Sequence, residues 1–304
     1  MPNQTFPSSD RESQIFYHSW LPEEAPKAVL VLFHGMLEHA GRYEDFATAL
    51  KNAGMAIYAP DHLGHGQSAA LKGHFADDYG NAKVVRDMLT MVDIAHKNHP
   101  KAPLFLMGHS MGSFLTRQLL HTYTLPHLSG VILMGTGYQP KAVIQFARAL
   151  TALVAKTKGK RYKSALLHKL IMGSNNARIH PKTGPFAWLT RDEAIASAFV
   201  QDPLNGDVFT AQGYNDMFTG ILTNYDPGRL ATLDLDVPVL ITSGDADPIG
   251  GYGKALINLY DDYQALGYTD LTLYLYDGAR HELFNETNKD EVIQDIYDWM
   301  ADRI

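Results

Sequence analysis

Leu104-Phe105-Leu106-Met107-Gly108-His109-Ser110-Met111-Gly112-Ser113-Phe114-Leu115 decides how this chain is read. The first four residues form a short apolar run, the pattern of a buried strand. Residues 113–120 read as a helix, with Phe114, Leu115 and the Leu119-Leu120 pair at helical spacing. Between them, a serine stands between two glycines at a strand-to-helix junction, the pattern of a nucleophile elbow. Such a turn is so tight that side chains at Gly108 and Gly112 would strike the neighbouring strand and helix. It pushes the Ser110 hydroxyl clear of the backbone, near the positive end of the following helix. The rest of the chain must then supply a base, an acid and donors for an oxyanion.

Outward from the elbow, strands and helices alternate. Ala28-Val29-Leu30-Val31-Leu32-Phe33 is a continuous apolar run, as expected of a strand covered on both faces. Further strands are predicted at 14–20 (an edge strand), 55–59 and 130–134, with helices at 43–52 and 81–99. Residues 1–10 are expected to fray. This rhythm implies βαβ units and a doubly wound sheet. It breaks from 137 to about 216, where only helical stretches are found: 142–156, 164–172 and 191–199, the last capped by Thr190 with Glu193 three residues on. It resumes with strands at 237–242 and 271–276 and helices at 254–265 and 290–304. Residues 137–216 therefore read as a helical cap inserted into a core of 1–136 and 217–304.

Ligands of an open α/β sheet bind outside the carboxyl ends of its strands, and G-x-S-x-G is accompanied by the chain order Ser, Asp, His. Of 14 histidines, His281 alone lies beyond the inserted block, directly after the last strand. It is the candidate base, while His34 and His109 are expected to point away. Gly244-Asp245-Ala246-Asp247-Pro248 follows a strand and offers two acids. Asp247 is favoured, because the loop needs a few residues to turn back towards His281, leaving Asp245 to brace the turn. The oxyanion needs backbone donors: the Met111 amide directly after the nucleophile, and the Met36 amide in His34-Gly35-Met36-Leu37. Asp61-His62-Leu63-Gly64-His65-Gly66-Gln67-Ser68 bears ligand-type residues but no second cluster, so it reads as a structural loop and no metal is expected.

Composition narrows the class. The 304 residues are 45% hydrophobic, enough for a large core, and contain no cysteine, which excludes disulfides and thiolate chemistry. A net charge of −7 argues against a nucleic-acid partner. The first residues lack the pattern of a signal peptide and no run is long enough to cross a membrane, so a cytoplasmic location is expected.

Taken together, these stretches resemble the α/β-hydrolase superfamily, in its monoacylglycerol lipase and lysophospholipase-like branch grouped with the serine aminopeptidases. The resemblance rests on His34-Gly35-Met36-Leu37-Glu38-His39 with Gly41-Arg42-Tyr43, the 61–68 loop, Gly108 to Gly112, Gly244 to Asp247, and Gly278-Ala279-Arg280-His281-Glu282. Trp188-Leu189-Thr190-Arg191-Asp192 and Asp202-Pro203-Leu204-Asn205-Gly206 resemble the cap of bacterial members. The resemblance implies a mainly parallel, doubly wound sheet of eight strands with an inserted helical cap. It also implies Ser110 as nucleophile, Asp247 as acid, His281 as base, oxyanion amides at Met36 and Met111, and no cofactor.

The implied reaction is hydrolysis of small-molecule acyl esters, of monoacylglycerol or lysophospholipid type, through an acyl-enzyme. Leu37 departs from the usual glycine and is expected to narrow the acyl entrance or shift the oxyanion loop. Leu37, Phe146, Leu150 and Trp188 are the candidate substrate contacts. Phe146 and Leu150 belong to an apolar stripe with Val143, Ala147, Leu153 and Val154, which reads equally as an acyl wall or as a helix packed on the core. Lys156, Lys158, Lys160, Arg161, Lys163 and Lys169 form a basic patch, either a solvated face or a transient contact of the cap with a membrane surface. Two rivals stand: a peptidase whose substrate amine is clamped by Glu193, Asp202 or Asp216, and a non-catalytic binding protein. Dehalogenase and epoxide-hydrolase chemistry is not expected, because those relatives use aspartate where Ser110 stands.

Overall fold

The computed structural model describes residues 4–125, 128–181, 183–206 and 208–304. Residues 1–3 of the terminus expected to fray lie outside them. Residues 4–7 are not frayed: β1 (Gln4–Pro7) pairs antiparallel with β2 (Gln14–Trp20) and becomes the edge strand in its place. The turn between them is tied down by Asp87, whose Oδ2 accepts from Ser8 Oγ at 2.7 Å.

The remaining strands are β3 (Val29–Phe33), β4 (Ala56–Pro60), β5 (Leu104–His109), β6 (Leu128–Met134), β7 (Val239–Gly244) and β8 (Leu271–Tyr276). They complete an eight-stranded sheet in the order β1-β2-β4-β3-β5-β6-β7-β8, parallel from β4 to β8. Alternate residues of β3 serve opposite faces. Val29, Val31 and Phe33 pack with α2 (Gly80–Asn98), α3 (Met111–Thr122) and α9 (Lys254–Leu266). Leu30 and Leu32 pack with α1 (Glu44–Asn52) and α10 (Lys289–Ala301). Both faces being covered explains why the strand reads as an unbroken apolar run.

From β3 the chain crosses to β4 on one side, then returns to β5 on the other. The loops after β3 and β5 therefore diverge at a switch point, which opens a crevice above the sheet.

Between β6 and β7 run α4 (Lys141–Lys158), α5 (Ala165–Met172), α6 (Glu193–Gln201), α7 (Ala211–Thr223) and α8 (Pro227–Leu230). Residue 216, the expected end of the inserted block, lies inside α7, a largely buried helix that packs on α2, α3 and α4. The start of α6 also differs from expectation. Asp192, not Thr190, caps it, its Oδ1 accepting from the Ala194 and Ile195 amides. The Thr190 hydroxyl is committed elsewhere, donating to the Asn285 carbonyl at 2.6 Å.

Candidate active site

Ser110 sits between β5 and α3 with φ 53° and ψ −118°, a strained conformation for a residue with a side chain. Close packing enforces it. A Cβ on Gly108 would lie 2.4 Å from the Gly112 carbonyl oxygen, and one on Gly112 would lie 2.1 Å from that of Phe33. The Ser110 amide donates to Met134 on β6 at 2.9 Å, fixing the turn to the sheet.

The loop after β3 comes directly to this turn. A Cβ on Gly35 would stand 3.1 Å from Ser110 Cβ and 2.6 Å from Glu38 Oε1. Gly35 is held there by its amide, which donates to Glu38 Oε1 at 2.6 Å. Leu37 occupies the left-handed region at φ 64°, where a glycine would carry no strain. Its side chain is buried, and its Cδ2 would lie 2.7 Å from a Cβ on Gly206. Met36 and Met111 border the same cavity as Ser110, and neither of their amides donates a hydrogen bond among the described residues.

β7 ends against the loop that carries His281, since a Cβ on Gly244 would lie 1.8 Å from the Ala279 carbonyl oxygen. Asp247 is completely buried. Its Oδ2 meets His281 Nδ1 at 3.0 Å and accepts from Ser243 Oγ at 2.6 Å, while Oδ1 accepts from the Ile249 amide. A carboxylate so placed holds the proton on Nδ1 and leaves Nε2 as the acceptor. That Nε2 is buried and has no hydrogen-bond partner among the described residues, Ser110 included. Ser110 and His281 both line the cavity. Asp245 turns away, and its Oδ1 accepts from the Gly278 amide at 2.7 Å.

Contrary to expectation, His109 does not point away. Its ring lies 4.8 Å from that of His281. Nδ1 faces Glu38 Oε1 (3.1 Å) and Tyr43 Oη (2.8 Å), and Nε2 faces the His281 carbonyl oxygen at 3.2 Å. Burial disfavours the imidazolium, yet the hydrogen bond and charge of Glu38 prevail and raise the His109 pKa. Burial likewise would raise Glu38, but His109 and Arg42 hold it well below the usual carboxylate range. Arg42 bridges Glu38 (2.7 Å) and both oxygens of Glu282 (2.6 Å each). This buried ionic cluster links the loop after β3 to the His281 loop. The sequence signal for it was Glu38 and Arg42 at four-residue spacing beside the oxyanion stretch.

The cavity, of about 720 Å³, extends from Ser110 beneath α4, α5 and α7. Its walls are mainly apolar, and Leu37, Phe146, Leu150 and Trp188 all contribute. Trp188 packs on His281 with ring centroids 4.9 Å apart. From the α4 stripe, Val143 and Ala147 also line it, whereas Leu153 projects outward. None of Glu193, Asp202 or Asp216 borders it. Asp202 pairs with His39 at 2.9 Å, and Asp216 Oδ1 accepts from Gln212. The carboxylates that do border it, Glu38 and Glu282, are both engaged by Arg42.

In the 61–68 loop, Gly64 and Gly66 take left-handed conformations and Asp61 accepts from the Ala40 and Gln67 amides. His34, His62 and His65 cluster behind it, but both His34 nitrogens are already engaged, by the Gly35 carbonyl and the His62 amide. Among the described residues no group of three or more ligand-type side chains is placed to hold a metal ion. Nor, among them, is any helix long and apolar enough to cross a membrane.

A family model described as serine aminopeptidase, S33, matches residues 24–288. The chain is 29% identical to the monoacylglycerol lipase of Mycolicibacterium smegmatis over 294 residues, covering 96% of this chain and 94% of that one. It is 28% identical to the monoglyceride lipase of Rattus norvegicus over 295 residues, covering 95% and 88%. Among solved structures, a thermostable carboxyl esterase from Bacillus coagulans superposes with a TM-score of 0.91 at 24% identity, covering 99% of this chain and 98% of that one. The architecture is thus that of the α/β-hydrolases.

Proposed function

The chain belongs to the serine aminopeptidase S33 family and is a carboxylic-ester hydrolase; on that premise we propose that it cleaves acyl-lipid esters of monoacylglycerol or lysophospholipid type. In this reading His281 Nε2 takes the proton of Ser110 Oγ as that oxygen attacks the ester carbonyl. The Met36 and Met111 amides receive the developing oxyanion. The carbon–oxygen bond to the alcohol then breaks, His281 returns the proton to the departing oxygen, and the acyl group stays on Ser110. Water, deprotonated by the same imidazole, attacks the acyl-enzyme; the bond from the acyl carbon to Ser110 Oγ breaks, His281 returns the proton to Oγ, and the fatty acid is released. Asp247 keeps Nδ1 protonated and stabilises the imidazolium.

The observation that carries the reading is an imidazole with Nδ1 committed to a buried carboxylate, bordering the same cavity as Ser110 and two amides; among the described residues its Nε2 has no partner and the amides have no acceptor. The mainly apolar walls suit an acyl chain. They do not suit a peptide's amino terminus, because the carboxylates bordering the cavity are already paired with Arg42. We read 137–216 as the cap that encloses the chain.

The test is a substrate panel: p-nitrophenyl esters of increasing length, a monoacylglycerol, lysophosphatidylcholine and an aminoacyl-arylamide, with fluorophosphonate labelling of Ser110. Turnover of the lipid esters with labelling at Ser110 is expected. Cleavage of the arylamide alone would establish the peptidase, and absence of labelling a binding protein.

Phe146, Leu166 and Leu170 are each more than half exposed on α4 and α5. In the same reading they form the contact with a lipid surface. The basic patch contributes less, since Lys160 pairs with Asp78 and Arg161 with Asp77.

A further inference from the structure

We propose that residues 187–191, although they lie in the inserted block, form a positioning arm that holds the His281 loop in catalytic register, with Arg191 as its anchor. The inference rests on the assignment of His281 as the base. The arm and the loop lie side by side and bond in succession. The His281 amide donates to the Trp188 carbonyl (3.4 Å) and the Glu282 amide to that of Leu189 (2.7 Å). Arg280 Nη1 donates to the carbonyls of Ala187 (2.6 Å) and Thr190 (2.9 Å). Thr190 Oγ1 donates to the Asn285 carbonyl at 2.6 Å.

The far end is locked by charge. Arg191 Nε donates to Glu286 Oε2 (2.7 Å), its amide to Oε1 (3.0 Å), and Nη2 to Asn288 Oδ1 (2.7 Å). Glu286 is almost wholly buried, and its Oε1 also accepts from the Arg280 amide, one residue before His281. Arg191 thus fixes the carboxylate that in turn fixes the backbone entering the base.

Two features separate this from ordinary packing. The contacts converge on residues 280–288 rather than on the sheet, and they act on the backbone on both sides of the imidazole. Moreover, Trp188 and Leu189 line the cavity while their carbonyls hold His281 and Glu282. A chain filling that end of the cavity presses on the same two residues that fix the base, so acyl occupancy and imidazole placement are coupled. Small displacements matter there, because proton transfer needs hydrogen-bond geometry.

The experiment compares Arg191→Ala, Arg191→Lys and Thr190→Val with the parent, using p-nitrophenyl acetate, whose acyl group is too short to follow the cavity wall. Arg191→Ala should lower kcat on the order of 10- to 100-fold with KM nearly unchanged. Arg191→Lys, which restores the charge beside Glu286, should recover part of the loss. Thr190→Val, which removes one hydroxyl contact, should lower kcat about fivefold and decides the matter alone if Arg191→Ala fails to fold. Unchanged kcat in Arg191→Ala or Thr190→Val, or a rise in KM alone, would overturn the arm. His281→Ala is run alongside. If that variant kept full turnover, the base assignment would fall and the arm with it, whereas an inactive His281→Ala beside unaffected arm variants would sink the arm only.

Discussion

At the carboxyl edge of the sheet there is no room for one added carbon. A Cβ at Gly108, Gly112 or Gly244 would lie within 2.4 Å of a backbone oxygen. In the helices above, Phe146, Leu153, Leu166 and Leu170 stand more than half exposed, and α4 buries only Ile144, Thr151 and Ala155 among its 18 residues. One region is fixed by backbone contact and the other by a thin apolar seam. The first is suited to chemistry, where placement sets the rate. The second is suited to selection, where a wall can be reshaped without unfolding the sheet. Substitutions at the edge should therefore change kcat with every ester, and substitutions in the helices should change which ester is preferred.

The sharpest way to break this contrast is at the edge. Ser110→Ala should cost a factor on the order of 10⁶ in turnover with the fold intact by circular dichroism. Asp247→Asn, which exchanges the acceptor at Nδ1 for an amide, should cost roughly 10⁴ with short and long esters alike. Asp245→Asn, facing only the Gly278 amide, should cost far less. A reversed order of the two aspartates in steady-state rates would move the acid to Asp245.

The helices predict a smaller and selective effect. Leu150 and Phe146 line the cavity from α4. Leu150→Trp should fill part of it, lowering kcat/KM for a long-chain ester about 10-fold, a cost of the order that overpacking exacts, while p-nitrophenyl acetate is turned over as by the parent. Equal losses on both esters would show that α4 supports the edge rather than the acyl chain.

The same contrast governs how much could be read beforehand. Strands covered on both faces leave unbroken apolar runs, and the elbow's glycines are demanded by contacts within a few ångströms, so β3, β5 and the strand-to-helix turn at Ser110 are legible in the sequence. β1 is not, because Gln4-Thr5-Phe6-Pro7 buries Phe6 alone and so carries almost no pattern. The cap of α6 is ambiguous in the sequence because Thr190 and Asp192 are both good capping residues, and only the distant Asn285 draws Thr190 away. The Glu38–His109–Glu282 cluster joins three segments far apart in sequence. The Glu38–Arg42 spacing hints at one local pair, but the partners His109 and Glu282 are invisible without the fold.

The seam between the two regions can be probed by pH, and its two sides should respond with opposite sign. On the sheet side, burial lowers the pKa of His62 to about 3 and of His65 to about 4, from 6.5. As pH falls below 6.5 the unfolded chain takes up protons that the folded one refuses, so this contribution is whole above 6.5 and is lost on acidification. On the other side, α7 places Asp216 against the first turn of α2. A Cβ on Gly80 would lie 2.4 Å from its Oδ2. Burial pushes the Asp216 pKa up to about 7, from 3.8. Between those values the unfolded chain releases a proton that the folded chain keeps, so stability falls as pH rises through the window and the whole penalty is present above pH 7. Asp216→Asn should therefore raise the melting temperature at pH 8 by roughly 3 °C and leave it unchanged below pH 4. A variant that melts with the parent at pH 8 would mean that the carboxylate finds a partner there. The seam would then owe its strength to packing alone.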